Sequence, residues 1–356
     1  MIEKSRGNGR RLVSMLHAGL DMHKRFSVVT VTDEVGKEMV KGKRLDNDEE
    51  EIRSFFEDFD DDVKVVLEAG GNWYWMCDLL DGMGIENKLC HPMKTKAIAS
   101  ARIKTDKIDS RILAHLGRMD FVPEAYKPDI ATRHLRELLR YRASIVKVRT
   151  ATKNKVHALL ARLNIGNPYS DLFGKKGIEY LGGLELAPVY RSALDGYLRL
   201  LSALEEEIGK AEKLVEIARC ETREARLLET IPGVGPILSL TILAEVGDVR
   251  RFHSAKHLAS AAGLVPSTSQ SGNSTRHGHI TRAGSAWLRW AFVEAAIHAS
   301  TRPGPLRNRF LALKRRKGNK IARVAIARKL ATYVYHMLEE GKTFGEVVSY
   351  SNGDLG

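Results

Sequence analysis

The sequence predicts an α/β domain, then a long helical hairpin, then a mainly α C-terminal domain. Three observations carry this reading. β-Branched runs alternate with segments of helical spacing over the first 130 residues, leucine stripes run through 131–165 and 191–219, and the remaining chain is apolar at helical spacing around glycine-rich turns. The expected domains are 13–130, 131–220 and 221–345, with 346–356 as a tail.

In chain order, Met15–Asp21, Phe26–Thr32 and Lys37–Arg44 are strand-like segments joined by short loops, one carrying Gly36, and predict three antiparallel strands. Asp48–Phe59 places Ile52, Phe55, Phe56 and Phe59 at helical spacing, and Val63–Glu68 reads as a buried strand. Trp73–Met83 is a helix stopped by Gly84, and Ile85–Cys90 is a short strand ending at His91-Pro92. The order βββαβαβα is an α/β layout, in which ligands lie beyond the strand C-termini.

Over 131–165, Leu135, Leu139, Val156 and Leu160 belong to the stripe of a long amphipathic helix whose other positions are rich in Arg and Lys. Arg191–Arg219, with Leu194, Leu198, Leu201 and Ile208 at three- and four-residue steps, is its expected antiparallel mate. Gly166–Pro188 holds several glycines and two prolines and predicts an irregular tip, not a packed element. After Thr230, Ile231-Pro232-Gly233-Val234-Gly235-Pro236 leads into a helix Ile237–Val246. The Gly- and Ser-rich stretch Gly263–Gly284 interrupts a helical region that resumes at Ala286–Ala299 and Lys320–Leu338.

The composition narrows the class. With 356 residues, 43% hydrophobic and 28% charged, the chain can fill several cores and is not wholesale disordered. Cys77, Cys90 and Cys220 form no Cys-x-x-Cys pair, which argues against a zinc ribbon or disulfide framework and fits a reducing cytosol. No run of 18 apolar residues occurs and Met1–Arg11 is not followed by a signal-peptide stretch, so the expectation is a soluble, cytoplasmic protein that is not exported and has no membrane partner. The net charge is +13, and residues 251–356 carry nearly all of the excess while 1–130 is slightly acidic. Such a field attracts a polyanion, a phosphate backbone first among them; a solvated basic face is the alternative.

Four carboxylates stand out. Asp21 ends the first strand, Glu68 ends the fourth, and Asp106 and Asp109 are spaced i, i+3 on one helix face. Hard oxygen ligands converging from strand ends and a facing helix are what divalent ions need for phosphoryl transfer. The alternative is that these are ordinary surface charges among 44 acids.

These residues resemble a known family. Gly19-Leu20-Asp21-Met22-His23-Lys24, Leu67-Glu68-Ala69-Gly70-Gly71 and Lys104-Thr105-Asp106-Lys107-Ile108-Asp109-Ser110 resemble the Asp-Glu-Asp-Asp signature of insertion-sequence transposases related to the Piv DNA invertase. Their first domain is RNase H-like, similar to the Holliday-junction resolvase RuvC. Ile231–Pro236, Ala259–Pro266, Ser271-Gly272 and Ile280–Gly284 with Leu288-Arg289 resemble that family's C-terminal transposase domain. One departure is Ser110, where the family usually has alanine.

The resemblance implies site-specific DNA transposition or recombination. Asp21, Glu68, Asp106 and Asp109 would bind Mg²⁺ or Mn²⁺, and a serine of the C-terminal domain, here Ser271, would attack a DNA phosphate. It also implies donor and target DNA as partners in a prokaryotic, nucleoid-associated setting, and an element-encoded noncoding RNA that guides sequence choice by pairing. A homo-oligomer, dimer or tetramer, is expected to assemble through helices 131–165 and 191–219, whose leucine stripes are longer than one hairpin need bury. Gly272 and Asn273 give Ser271 a flexible loop, and Arg276, His277, Arg282 and Arg289 supply positive charge nearby in sequence. Ser267, Ser269 and Ser274 share that loop, where serine also serves turns.

Further nucleic-acid contacts are expected. Gly233 and Gly235 would let backbone amides approach a phosphate, unless they only connect to the next helix. Lys314, Arg315, Arg316, Lys317 and Lys320 form a basic run, a backbone contact or a solvated loop. Trp73, Tyr74 and Trp75 could stack bases, but a helix packed on a sheet also wants aromatics, and at least one of them is expected in the core. His17, His23 and His91 have no Cys or His partner at zinc spacing and are read as no structural metal ligand. Two rival readings remain: a metal-dependent junction nuclease, which needs only the carboxylates, and a non-catalytic nucleic-acid-binding protein.

Overall fold

The computed structural model describes residues 15–59, 62–98, 105–271 and 274–353, with the side chains of 268–277 and 350–353 outside that description. The chain divides into two compact units, Met1–Lys127 and Pro128–Gly356. The helical hairpin and the C-terminal helices fall together in the second.

In the first unit, β1 (Leu16–Met22), β2 (Phe26–Thr32) and β3 (Glu38–Asp46) form an antiparallel meander. Asp33 accepts from the Val35 and Lys37 amides at the β2–β3 turn, and Gly36 takes φ 88° there. Helix α1 (Glu49–Glu57) is capped by Asp48, which accepts from the Glu50 and Glu51 amides, and it buries Ile52, Phe55 and Phe56. Then follow β4 (Val63–Glu68), α2 (Trp73–Gly82), β5 (Glu86–Cys90), α3 (Pro92–Ile98) and α4 (Asp106–Arg118). β1 pairs parallel with β4 and β4 with β5, giving the order β3-β2-β1-β4-β5. This is the RNase H-like arrangement that the resemblance implies.

The sheet is covered on both faces, and its sequence alternates accordingly. Ala18, Leu20, Val29, Val31, Val65 and Leu67 join Ile52, Phe55 and Met76 in the main core. Val66 and Cys90 turn the other way and meet Leu113 of α4. Trp73 and Trp75 pack against the main core, and Tyr74 stands edge-on to Trp73 at 4.3 Å.

The second unit opens with α5 (Ile130–Arg162), capped by Asp129. Helix α6 is Lys175–Gly182 and α7 is Pro188–Glu221. α5 and α7 run antiparallel, joined by Arg142–Glu212 at 2.7 Å and Arg149–Glu205 at 3.0 Å. The expected irregular tip is instead a packed element: Leu172 and Leu181 are buried with Val156, Leu160 and Leu194. Gly177 is a packing residue there and not mere punctuation, because it lies so close to the Leu172 carbonyl that a Cβ would collide with it.

The remaining helices are α8 (Arg223–Leu228), α9 (Pro236–Val246), α10 (Ala255–Ala261), α11 (Ala286–Ala299), α12 (Pro305–Lys317), α13 (Asn319–Glu340) and α14 (Phe344–Gly353). α13 is the hub, packing on α10, α11 and α12 with Ile326, Leu330, Val334 and Met337 buried. The residues expected as a tail largely continue α14, whose Val347 is buried in this core. The Gly- and Ser-rich stretch holds a two-stranded ribbon, β6 (Pro266–Ser271) and β7 (Ser274–Ile280), paired antiparallel. Among the described residues no helix is long and apolar enough to cross a membrane.

Candidate active site

Parallel pairing sets the first two acids side by side. Leu20 of β1 is in register with Leu67 of β4, so Asp21 and Glu68 follow that pair at the ends of adjacent central strands. The other two acids come from α4. Thr105 caps this helix by accepting from the Ile108 amide, and Asp106 and Asp109 occupy its first turn, where the positive end of the helix dipole favours carboxylates.

α4 reaches the sheet through close backbone contact. A Cβ on Gly19 would stand 2.8 Å from Leu113 Cβ and closer still to the Ser110 carbonyl and the Ala114 amide, so only glycine fits. Ser110, the departure from the family pattern, is fully buried. Its hydroxyl lies 2.9 Å from Thr30 Oγ1 and donates to the Lys107 carbonyl at 3.2 Å, while the Gly42 amide donates to Thr30 Oγ1 at 3.2 Å. This chain of hydrogen bonds ties β3, β2 and the first turns of α4 together.

The acids sense one another. Burial pushes the Asp21 carboxyl up to about 6; nearby His23 opposes the rise, and the negative charges of Asp109, Asp106 and Glu68 add to it. His23 Nε2 lies 3.4 Å from Asp21 Oδ2 and 3.1 Å from Asp106 Oδ2. Asp21, His23 and Asp106 each offer a ligand atom within 4.8 Å of the others. The structure thus brings Asp21 and Asp106 together directly, and Glu68 and Asp109 act on Asp21 through their charge. His23 is the site residue that zinc spacing missed; its signal was its position two residues beyond Asp21. A hard-oxygen set with one imidazole, gathered around a carboxyl that burial and then neighbouring like charge hold above its ordinary value, fits a divalent cation.

The other candidates lie in the second unit. Ser271 ends β6 opposite Ser274, while Gly272, Asn273 and the side chains of Ser271, Ser269, Ser274, Arg276 and His277 lie outside the described residues, as does Lys104. Ser267 Oγ donates to the His279 carbonyl at 3.0 Å. Arg282 is exposed, with φ 54°. Arg289 is partly buried and donates to the carbonyls of Ala262 and Arg282, fastening the turn between Gly263 and Gly284. Gly233, at φ 88°, packs against His298 where a Cβ would not fit, and Gly235 is the residue before α9. Lys314–Lys317 form the exposed last turn of α12, and Lys320 lies exposed at the start of α13.

Two family models match the chain. Residues 18–165 match the DEDD type of IS110, described as transposase, and residues 225–311 match the transposase IS116/IS110/IS902 family. The four carboxylates lie within the first match and Ser271 within the second. The chain is 30% identical over 292 residues to the insertion element IS116 44.8 kDa protein of Streptomyces clavuligerus, covering 68% of this chain and 72% of that one. It is 27% identical over 291 residues to the transposase for insertion sequence element IS1111A of Coxiella burnetii, covering 79% of each. A stretch of 123 residues, 34% of this chain and 38% of the relative, is 38% identical to the pilin gene-inverting protein of Moraxella bovis. A chain matched in both halves, and along most of its length by such relatives, belongs to the IS110/IS116/IS902 family of transposases.

Proposed function

We propose that this DNA-binding transposase cuts and exchanges the strands of its own insertion sequence, with Ser271 as nucleophile and Asp21, Glu68, Asp106 and Asp109 holding Mg²⁺ or Mn²⁺. The observation that carries the metal reading is the convergence of Asp21, His23 and Asp106, each with a ligand atom within 4.8 Å of the others, with Glu68 and Asp109 near enough for their charge to act on Asp21. Bound there, a divalent cation supplies Lewis-acid stabilisation of phosphate charge. Ser271 Oγ forms a bond to phosphorus as the bond from phosphorus to the departing sugar oxygen breaks, and the hydroxyl proton ends on that oxygen through water. The position of Ser271 at a ribbon end supports this role.

Initial capture of the polyanion falls to the C-terminal helices, where Lys314–Lys317 and Lys320 stand exposed. Sequence choice is delegated to a noncoding RNA of the element, in the cytoplasm of a prokaryotic host. Self-assembly runs through α5 and α7, whose exposed Val148, Leu200, Leu214 and Ile217 support it.

The test uses DNA of the element's two ends and a denaturing gel. Wild type should leave a protein–DNA adduct that Ser271→Ala abolishes while keeping its affinity, and Asp106→Asn should abolish cleavage. Cleavage that persists in Ser271→Ala without an adduct would replace this mechanism by a hydrolytic nuclease. Sequencing of the copurified nucleic acid decides the guide: a discrete RNA from the element supports it, and none rejects it.

A further inference from the structure

We propose that His23 is a direct ligand of the metal centre, and that its nitrogen biases the centre towards Mn²⁺ over Mg²⁺. This rests on the reading of the neighbouring carboxylates as a divalent-metal site.

The distances have the scale of a coordination sphere. Ligand atoms about 2.1 Å from an octahedral ion lie about 3 Å apart when adjacent. His23 Nε2 stands 3.1 Å from Asp106 Oδ2 and 3.4 Å from Asp21 Oδ2. Neither contact has hydrogen-bond geometry: Nε2 is buried from solvent and has no hydrogen-bond partner among the described residues. A nitrogen set beside two carboxylate oxygens without bonding either is placed to share a third atom with them.

The backbone beneath the ring is held as a ligand's would be. The His23 amide donates to the Phe26 carbonyl at 2.9 Å. Its carbonyl accepts from two side-chain amides, Asn47 Nδ2 at 2.8 Å and Asn72 Nδ2 at 3.0 Å. Asn47 is in turn fixed by Ser27 Oγ, which donates to its Oδ1 at 2.7 Å. The imidazole packs on Phe26 with ring centroids 4.5 Å apart. Residues from the end of β3 and the start of α2 thus converge on the backbone of one residue in a tight turn. A solvated histidine needs none of this, whereas a metal ligand gains from such preorganisation.

Ligand chemistry then sets the preference. Mg²⁺ takes oxygen ligands almost exclusively, whereas an imidazole in a carboxylate set adds affinity for first-row transition ions. Mn²⁺ accepts both donor types, so the nitrogen should raise its affinity more than that of Mg²⁺.

The test loads the full chain with Mn²⁺ alone and records pulsed EPR, with calorimetry for affinity. Wild type should show nitrogen coupling to bound Mn²⁺, and ¹⁵N-histidine labelling should convert that coupling to the ¹⁵N pattern, a readout that needs no variant. In His23→Gln the coupling should vanish and Mn²⁺ should bind about tenfold more weakly, with Mg²⁺ affinity within about threefold of wild type. Mn²⁺ bound without nitrogen coupling, coupling that survives in His23→Gln, or equal losses for both ions would overturn the role of His23 and leave the carboxylate site standing. No Mn²⁺ binding by wild type, or unchanged binding by Asp106→Asn, would overturn the carboxylate reading itself and this proposal with it.

Discussion

Gly19 in β1 touches the backbone of α4 at Ser110, leaving no room for a Cβ between them. Asp21 lies two residues further along β1, and Asp109 immediately precedes Ser110, so this contact fixes how far apart the carboxylates stand. Gly19→Ala must push α4 away from the sheet. The expected cost is about 2–3 kcal/mol in a urea titration, as for other overpacked cores, together with weaker Mn²⁺ binding. A stable variant with wild-type metal affinity would mean that the helix can shift without disturbing the site.

The Thr30–Ser110 hydrogen bond is buried on both sides. Ser110→Ala removes it and should cost about 1 kcal/mol while leaving metal binding intact, since no carboxylate depends on that hydroxyl. Thr30→Val also removes the acceptor of the Gly42 amide and should cost more. A double-mutant cycle should show the two changes coupled by roughly 0.5–1 kcal/mol. Additive losses would show that the pair does not act as a unit.

What was legible in the sequence followed from burial. β1, β2 and β4 show apolar periodicity because each has a face or two against a core, and the α5–α7 pair shows its leucine stripe for the same reason. Asp21 and Glu68 stood out because each ends such a run. The β6–β7 ribbon was illegible: Pro266–Ser271 has no apolar face, so period-two alternation has nothing to display. α6 was hidden because only Leu181 and a glycine of its eight residues are buried, among glycines that read as turn signals. His23 was missed because its partners are carboxylates, one from β1 and one from α4, rather than a Cys or His at zinc spacing. Arg289, expected as a phosphate contact, donates to the Ala262 and Arg282 carbonyls at a tight turn, and no local pattern tells a guanidinium in that use from one that also meets phosphate.

Glu245 is a buried acid that the sequence does not single out. It accepts from Arg140 Nη2 at 3.0 Å and from Ser285 Oγ at 2.8 Å, joining α5 to α9 and to the residue that caps α11. Removing the carboxylate leaves Arg140 without this partner in a partly buried position. Glu245→Ala should cost about 2 kcal/mol, less than a fully buried pair because Arg140 is part-exposed, or roughly 5 °C in Tm. Arg140→Met with Glu245→Met should recover part of that loss. A Glu245→Ala protein melting with wild type would show that the network contributes nothing.

Asp21 ties the site to pH. Burial, reinforced by the like charges of Asp109, Asp106 and Glu68, raises its carboxyl from 3.8 to about 6. A folded-state value above the unfolded one means that the proton stabilises the fold. That contribution is complete below about 3.8 and lost as pH rises through about 6. The metal-free protein should therefore lose at most about 3 kcal/mol from this group between pH 4 and 7. A divalent cation favours the ionised carboxyl, so saturating Mn²⁺ should restore stability above pH 6 and do little at pH 4. Binding at pH 5.5 should release about three-quarters of a proton and at pH 8 almost none, measured by calorimetry in two buffers of different ionisation enthalpy. In Asp21→Asn both the stability slope and the proton release should shrink together, because they come from one group. If the metal-free wild type is equally stable across that range, or releases no proton on binding at pH 5.5, then Asp21 is already ionised and its burial does not hold the carboxyl protonated.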